Sequence, residues 1–126
     1  MKALEEINQL IKEQTQIVIN SYSKEYMQSK WYKEPTLRDV FGETISKDVV
    51  RLKKAIEDGE ELFPYVKEFE IAASQYGASW YDEDLECERT GYEFETQMYA
   101  DLRNIAARSE GIGQIDWRDY FEGRGV

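Results

Sequence analysis

The stretch KALEEINQLIKEQTQIVINSYSKEYMQS, residues 2–29, can be read in two ways. Ile17, Val18 and Ile19 form the most strand-like patch in the chain, because β-branched side chains suit a pleated surface. Around them Leu4, Ile7, Leu10, Ile11, Ile17, Val18, Tyr22 and Tyr26 recur at helical spacing, the stripe of an amphipathic helix. No Gly or Pro interrupts the stripe, so the spacing predicts one long helix over about 2–29 and absorbs the strand-like patch. That reading sets the fold class. Elsewhere β-branched residues are few, and no hairpin dipeptide sits between alternating runs.

Outward from this segment the punctuation is helical throughout. Glu34 before Pro35 marks a boundary, since the residue before proline avoids helical geometry. Thr36 and Asp39 have the spacing of a capping box for a short helix ending near Gly42, with Leu37, Val40 and Phe41 inward. Ser46 is read as the cap of the next helix, with Val49, Val50, Leu52 and Ile56 inward and Gly59 as its stop. Glu60 and Glu61 open a helix whose first turn accommodates Pro64. Its buried face is Leu62, Tyr65, Val66, Phe69, Ala72, Ala73 and Tyr76, and Gly77 ends it. Thr90 and Glu93 fit another capping box, followed by Phe94, Met98, Leu102 and Ile105 and a stop at Gly111 and Gly113. In the tail, Asp116 caps a last turn with Trp117, Tyr120 and Phe121 on its apolar side, docking back on the core. The expectation is an all-α fold, a single compact domain over residues 1–126 with five or six helices and a long N-terminal amphipathic helix. A chain of 126 residues suits one domain and buries roughly two-thirds of its unfolded surface.

Charge narrows the function classes. The net charge is −10, and it is unevenly spread. Residues 1–77 carry 14 acids and 11 bases, whereas residues 78–126 carry 12 acids and 5 bases, all of them Arg. Phosphate-backbone binding needs a basic footprint, so direct DNA or RNA binding is disfavoured, and a basic protein surface is the complementary partner. The chain has no His and one Cys, Cys87, which excludes His-based metal or triad chemistry, an intrachain disulfide and a cysteine zinc cage. Cys87 lies between Glu86 and Glu88, which disfavours a thiolate. The start, MKALEEINQL, has acids where a signal peptide would be apolar, and no apolar run approaches the ~20 residues needed to span a bilayer. A soluble, cytoplasmic protein is expected.

The densest acidity is SWYDEDLECERTGYEFE, residues 79–95. Asp82, Asp84, Glu86 and Glu93 fall at positions 1, 3, 5 and 12 of a calcium-loop register, but Cys87 stands where the loop needs Gly, and Arg89 where it needs an apolar residue. No metal or other cofactor is expected. Ser79 and Asp82 have capping-box spacing, which predicts a helix over about 80–89 whose first turn holds acids favoured by the helix dipole. A strand, the lesser alternative, would line Asp82, Asp84, Glu86 and Glu88 along one face. The paired-carboxylate spacing of all-α, magnesium-dependent nucleotide hydrolases is missing: Glu60 and Glu61 come closest, and Pro64 takes the last acidic position.

In size, acidity, lack of His and lack of catalytic spacing, the chain resembles in general character the small acidic inhibitors carried by phages and mobile elements. Several of those block nuclease or DNA-binding defence proteins. The resemblance implies a DNA-mimic mode, in which carboxylates occupy a groove built for phosphates. The reading that follows is a non-enzymatic protein-binding module that meets a basic, nucleic-acid-binding protein surface. Its charge comes from Asp82, Asp84, Glu86, Glu88, Glu93 and Glu95, and its anchors from Trp80, Tyr81 and Tyr92, because aromatics dominate interface hot spots. Phe94 and Tyr99 are further candidate anchors, and Asp101 a further acid. The alternatives are a self-associating assembly subunit that pairs through its first helix and, less favoured, a magnesium-dependent nucleotide hydrolase.

Overall fold

A computed structural model describes residues 2–77, 80–82, 87–89 and 93–120, with side chains placed for 2–77 and 93–119. It is all-helical in architecture, with six helices: α1 (Lys2–Asn20), α2 (Lys24–Gln28), α3 (Leu37–Phe41), α4 (Glu43–Glu57), α5 (Phe63–Gly77) and α6 (Glu93–Ser109). A 3-10 turn, Trp117–Tyr120, follows α6. Between α5 and α6 lies one antiparallel pair of three-residue strands, β1 (Trp80–Asp82) and β2 (Cys87–Arg89). No helix among the described residues is long and apolar enough to cross a membrane.

α1 buries Ala3, Ile7 and Leu10 and lays Leu4, Ile11 and Val18 against the core. It stops at Asn20 rather than near residue 29, and the end has local causes. Ile17, Val18 and Ile19 are weak helix formers. The Ser21 hydroxyl donates back to the Val18 carbonyl at 2.6 Å, while the Ser21 and Tyr22 amides bond three residues back, a tightened terminal turn. Ser23 then caps α2, its hydroxyl accepting from the Tyr26 amide at 3.2 Å. Tyr22 and Tyr26 therefore leave the α1 stripe. They join Tyr32 in a separate edge-to-face cluster with centroid spacings of 5.2–6.4 Å.

The capping box forms at Thr36 as its spacing predicts: Asp39 donates its amide to the Thr36 hydroxyl at 3.2 Å, and Thr36 donates to the Asp39 carboxylate at 2.9 Å. Gly42 takes a φ of 85°, which turns α3 directly into α4. As a result α4 begins at Glu43 and Ser46 is not its cap. Ser46 is buried in the first turn and donates to the Glu43 carbonyl at 3.0 Å. Val49, Leu52 and Ile56 are buried as expected, but Val50 points outward at 51% exposure. At the far end Glu60 donates to Ala55 and Gly59 to Ile56, the paired bonds that a left-handed glycine permits. The same turn delays α5 to Phe63, past Glu60 and Glu61. The Leu62 amide there is held by the Glu110 carboxylate at 2.9 Å, from across the fold.

α6 is the central helix, with Thr96, Met98–Ala100 and Leu102–Ala107 buried almost all round. α5 packs along it most extensively, and α1, α4 and the 3-10 turn also lean on it. Phe69 sits between the rings of Tyr65 and Tyr99, at 5.8 and 5.7 Å. The Tyr99 hydroxyl donates to Asp48 on α4 at 2.5 Å. Asp48 also accepts from Arg51, whose guanidinium grips Glu68 of α5 through two bonds of 2.8 and 3.1 Å. This chain of polar contacts ties α4, α5 and α6 together.

Past α6, Gly111 (φ 73°) reverses the chain, and two buried polar side chains pin the returning strap. Arg103 donates to the Gly113 carbonyl at 2.5 Å, and Asn104 both donates to the Ile115 carbonyl at 2.8 Å and accepts from its amide at 3.1 Å. Asp116 acts as the expected cap, its carboxylate accepting from the Arg118 amide at 3.0 Å, and Trp117 packs half-buried on the core. Phe121 lies outside the described residues.

Candidate functional site

The segment that carries the most acid does not form the helix expected over 80–89. Its ends are the two strands, with Trp80 opposite Arg89, Tyr81 opposite Glu88 and Asp82 opposite Cys87. The physical reason lies in the charges. A helix there would stack Asp82 on Glu86 and Asp84 on Glu88, like charges one turn apart, with only Tyr81 and Leu85 to anchor ten residues. Trp80 and Tyr81 favour extended backbone instead. A single continuous strand is not formed either, because β1 and β2 pair antiparallel with each other. The calcium-loop register fails on the same geometry: its positions 6 to 8, Cys87–Arg89, are paired strand. Among the described residues no three His, Cys, Asp or Glu side chains gather as a metal site.

Of the proposed contact residues, the structure thus brings Trp80, Tyr81, Asp82 and Glu88 into one two-stranded ladder. Glu93 and Glu95 occupy the first turn of α6, where the helix dipole favours them. Phe94 between them is 38% exposed. Asp84, Glu86 and Tyr92 lie outside the described residues, as do the Thr90 and Ser79 capping positions. Tyr99 is a correction: only 3% exposed, it belongs to the core, where burial and then the bond to Asp48 push its hydroxyl above the ordinary tyrosine range. Its three-residue spacing from Leu102 is the sequence signal that set it beside the inward face.

The arginines of residues 78–126 with described side chains are each paired within the chain. Arg103 lies 3.4 Å from Glu70, Arg108 3.1 Å from Glu6, and Arg118 3.6 Å from Asp116. Those are the three arginines of residues 78–126 whose side chains are described. The midchain base Arg51 is likewise taken by Asp48 and Glu68. Glu68 and Glu70 are thus each paired with an arginine.

A second feature was not marked in the sequence. A groove of about 600 Å³ runs between α1 and α6, lined by Glu5, Glu6, Glu13 and Asp101 with Lys2 and Arg108 at one end. Glu6 meets Arg108 while Glu13 acts on Asp101, so α1 runs antiparallel to α6. Burial pushes the Asp101 carboxyl up to about 6, against the pull of Arg108 and with Glu13 adding to the rise. The only signal in the sequence was that Asp101 adjoins Leu102 and Ile105 on a buried helix.

Because the folded state holds the Asp101 proton more tightly than the unfolded chain, this group favours folding below about pH 4 and loses that contribution as pH rises through about 6. Asp101→Asn is therefore expected to stabilise the protein at pH 7.5 by about 1 kcal/mol, allowing for solvent screening at a partly exposed position. The gain should shrink towards pH 5. Urea melts of both proteins at the two pH values check this, and an equal gain at both would remove Asp101 titration as the cause.

Comparison with protein-family models, curated proteins and solved structures finds no match to this chain.

Proposed function

We propose that the protein is a non-enzymatic, acidic protein-binding module that engages a basic surface of a partner, of the kind that otherwise holds nucleic acid. The observation that carries this is the pairing of charge excess with internal neutralisation. Residues 78–126 hold 12 acids against 5 bases, and Arg103, Arg108 and Arg118 are each drawn into an internal ion pair. The surplus left to face solvent is negative. The exposed Phe94 between Glu93 and Glu95 supplies an apolar contact within the charge, and the aromatic Trp80 and Tyr81 stand in the adjoining ladder. Duplex DNA carries one negative charge per ~1.7 Å of axis, and a surface rich in carboxylates can occupy a groove built for such charge without catalysis.

Reversing Asp84, Glu86 and Glu88 to Lys is expected to weaken partner binding more than tenfold at low salt, at about 0.5–1 kcal/mol per reversed charge. Immobilised wild-type protein and the triple variant, exposed to lysate of the producing organism and compared by mass spectrometry, provide the test. Equal capture of the same proteins by both would contradict the assignment of this surface.

A further inference from the structure

The chain after α1 builds a second surface of opposite character. Tyr22, Tyr26 and Tyr32 form a rigid edge-to-face triad that takes no part in the main core. The Tyr26 hydroxyl accepts from the Lys33 amide at 3.3 Å, which locks the loop onto the triad. On this base stands Trp31, 73% exposed, with the Lys30 ammonium 5.2 Å from its ring centroid. A tryptophan this exposed to water is unusual, and tryptophan is enriched where proteins meet. Lys24, Lys30 and Lys33 stand there against Glu25 and Glu34, all exposed, so a weakly basic aromatic knob sits on a chain of net charge −10.

The knob lies at the same end of the bundle as the start of α6. α1 runs antiparallel to α6 with Glu13 beside Asp101, so seven more residues, about 10 Å of helix, carry Asn20 to the level of Phe94. Two further contacts agree. Glu95 lines a cleft together with Phe41–Ile45, and the charge of Asp39, in the same α3 segment, reaches Tyr22. One end of the molecule thus presents a basic aromatic patch and an acidic one, Glu93 and Glu95 around Phe94.

We propose that this end is a self-complementary face through which two copies pair, the Trp31 knob of each seated on the Glu93–Glu95 turn of the other. Two-fold symmetry requires a surface patch that matches itself, and a basic patch beside an acidic one meets that requirement twice per dimer. The pairing rests on the acidic start of α6 being a contact surface, and a basic partner would compete with it.

Sedimentation of the full chain at about 100 μM tests the proposal. Wild type is expected to dimerise at ~50 mM salt and to dissociate at ~0.5 M, where charge is screened. Trp31→Ala should be monomeric with an unchanged far-ultraviolet circular dichroism spectrum, since Trp31 is outside the core. Lys30→Glu/Lys33→Glu and Glu93→Lys/Glu95→Lys should each be monomeric, whereas the chain carrying both pairs of reversals should dimerise again. A wild type that stays monomeric at low salt, or a dimer that survives Trp31→Ala or either single-sided reversal, overturns the proposal. A dimer that behaves as expected while the acidic reversals leave partner capture intact would remove the partner-binding reading alone. A monomer whose capture is lost on acidic reversal would remove only the dimer.

Discussion

Phe69→Ala should destabilise the protein by about 3–5 kcal/mol, the range for truncating a fully buried aromatic residue. Phe69 has no exposed surface and lies in the α5–α6 interface, the most extensive in the fold. Its ring is held between Tyr65 and Tyr99, and Tyr99 stacks in turn on Tyr76 at 5.7 Å with planes 12° apart. Removing it leaves a cavity and loosens a row of rings that connects α5 to α6. It also unsettles the Tyr99–Asp48 bond that reaches α4. Against a total stability of ~5–15 kcal/mol, the midpoint of thermal unfolding should fall by roughly 10–20 °C. Phe69→Leu, which refills most of the space, should cost about 1–2 kcal/mol. Phe94→Ala, on the exposed rim, should change stability by less than about 0.5 kcal/mol. Urea and thermal melts followed by circular dichroism check all three, and similar losses for Phe69→Ala and Phe94→Ala would contradict this description of the core.

Arg103→Ala has the second-largest expected effect, about 2–4 kcal/mol. The Arg103 side chain is 6% exposed, and its guanidinium donates to the Gly113 carbonyl and the Asn104 amide oxygen. Its Nε faces Glu70 at 3.4 Å as an ion pair without an aligned hydrogen bond. Glu70 is 44% exposed and can rehydrate, which keeps the loss below that of breaking a fully buried pair. The loss should be local first. The strap over 110–117 depends on Arg103 and Asn104, so chymotrypsin should cut near Trp117 well before global unfolding. Arg103→Lys should not rescue it, because a single ammonium nitrogen lacks the spaced, planar nitrogens with which Arg103 reaches Gly113 and Glu70. Unchanged protease resistance in Arg103→Ala would show that the strap is held by other contacts.

These two sites differ in how legible they were. Phe69 belongs to a stripe of apolar residues at helical spacing, so its burial could be read directly from the sequence, as could the Thr36 capping box and the glycine stops at Gly59 and Gly111. Arg103 and Asn104 could not be read that way. A polar residue on a buried face finds its partner from a loop that arrives later in the chain, and spacing carries no record of that. The end of α1 is hidden in the sequence for a related reason. Periodicity continues through Tyr22 and Tyr26, but hydroxyl groups at Ser21 and Ser23 offer the backbone competing bonds, and a tyrosine cluster separate from the core captures the rings. In the acidic segment the capping spacing at Ser79 favours a helix, but the repulsion that stacked carboxylates would bring to so short a helix outweighs it.

For function, charge was the legible part. The excess over residues 78–126 is a property of sequence, and the structure adds that Arg103, Arg108 and Arg118 are each engaged by a carboxylate. The most direct measurement is the salt dependence of affinity for a captured partner, by titration calorimetry with wild type and with the Asp84, Glu86 and Glu88 reversal. The account predicts that wild-type affinity falls steeply, by more than tenfold between about 50 and 300 mM salt, and that the variant binds weakly with little dependence on salt. Wild-type affinity that is flat across this range, or a variant that follows the wild-type curve, would contradict it.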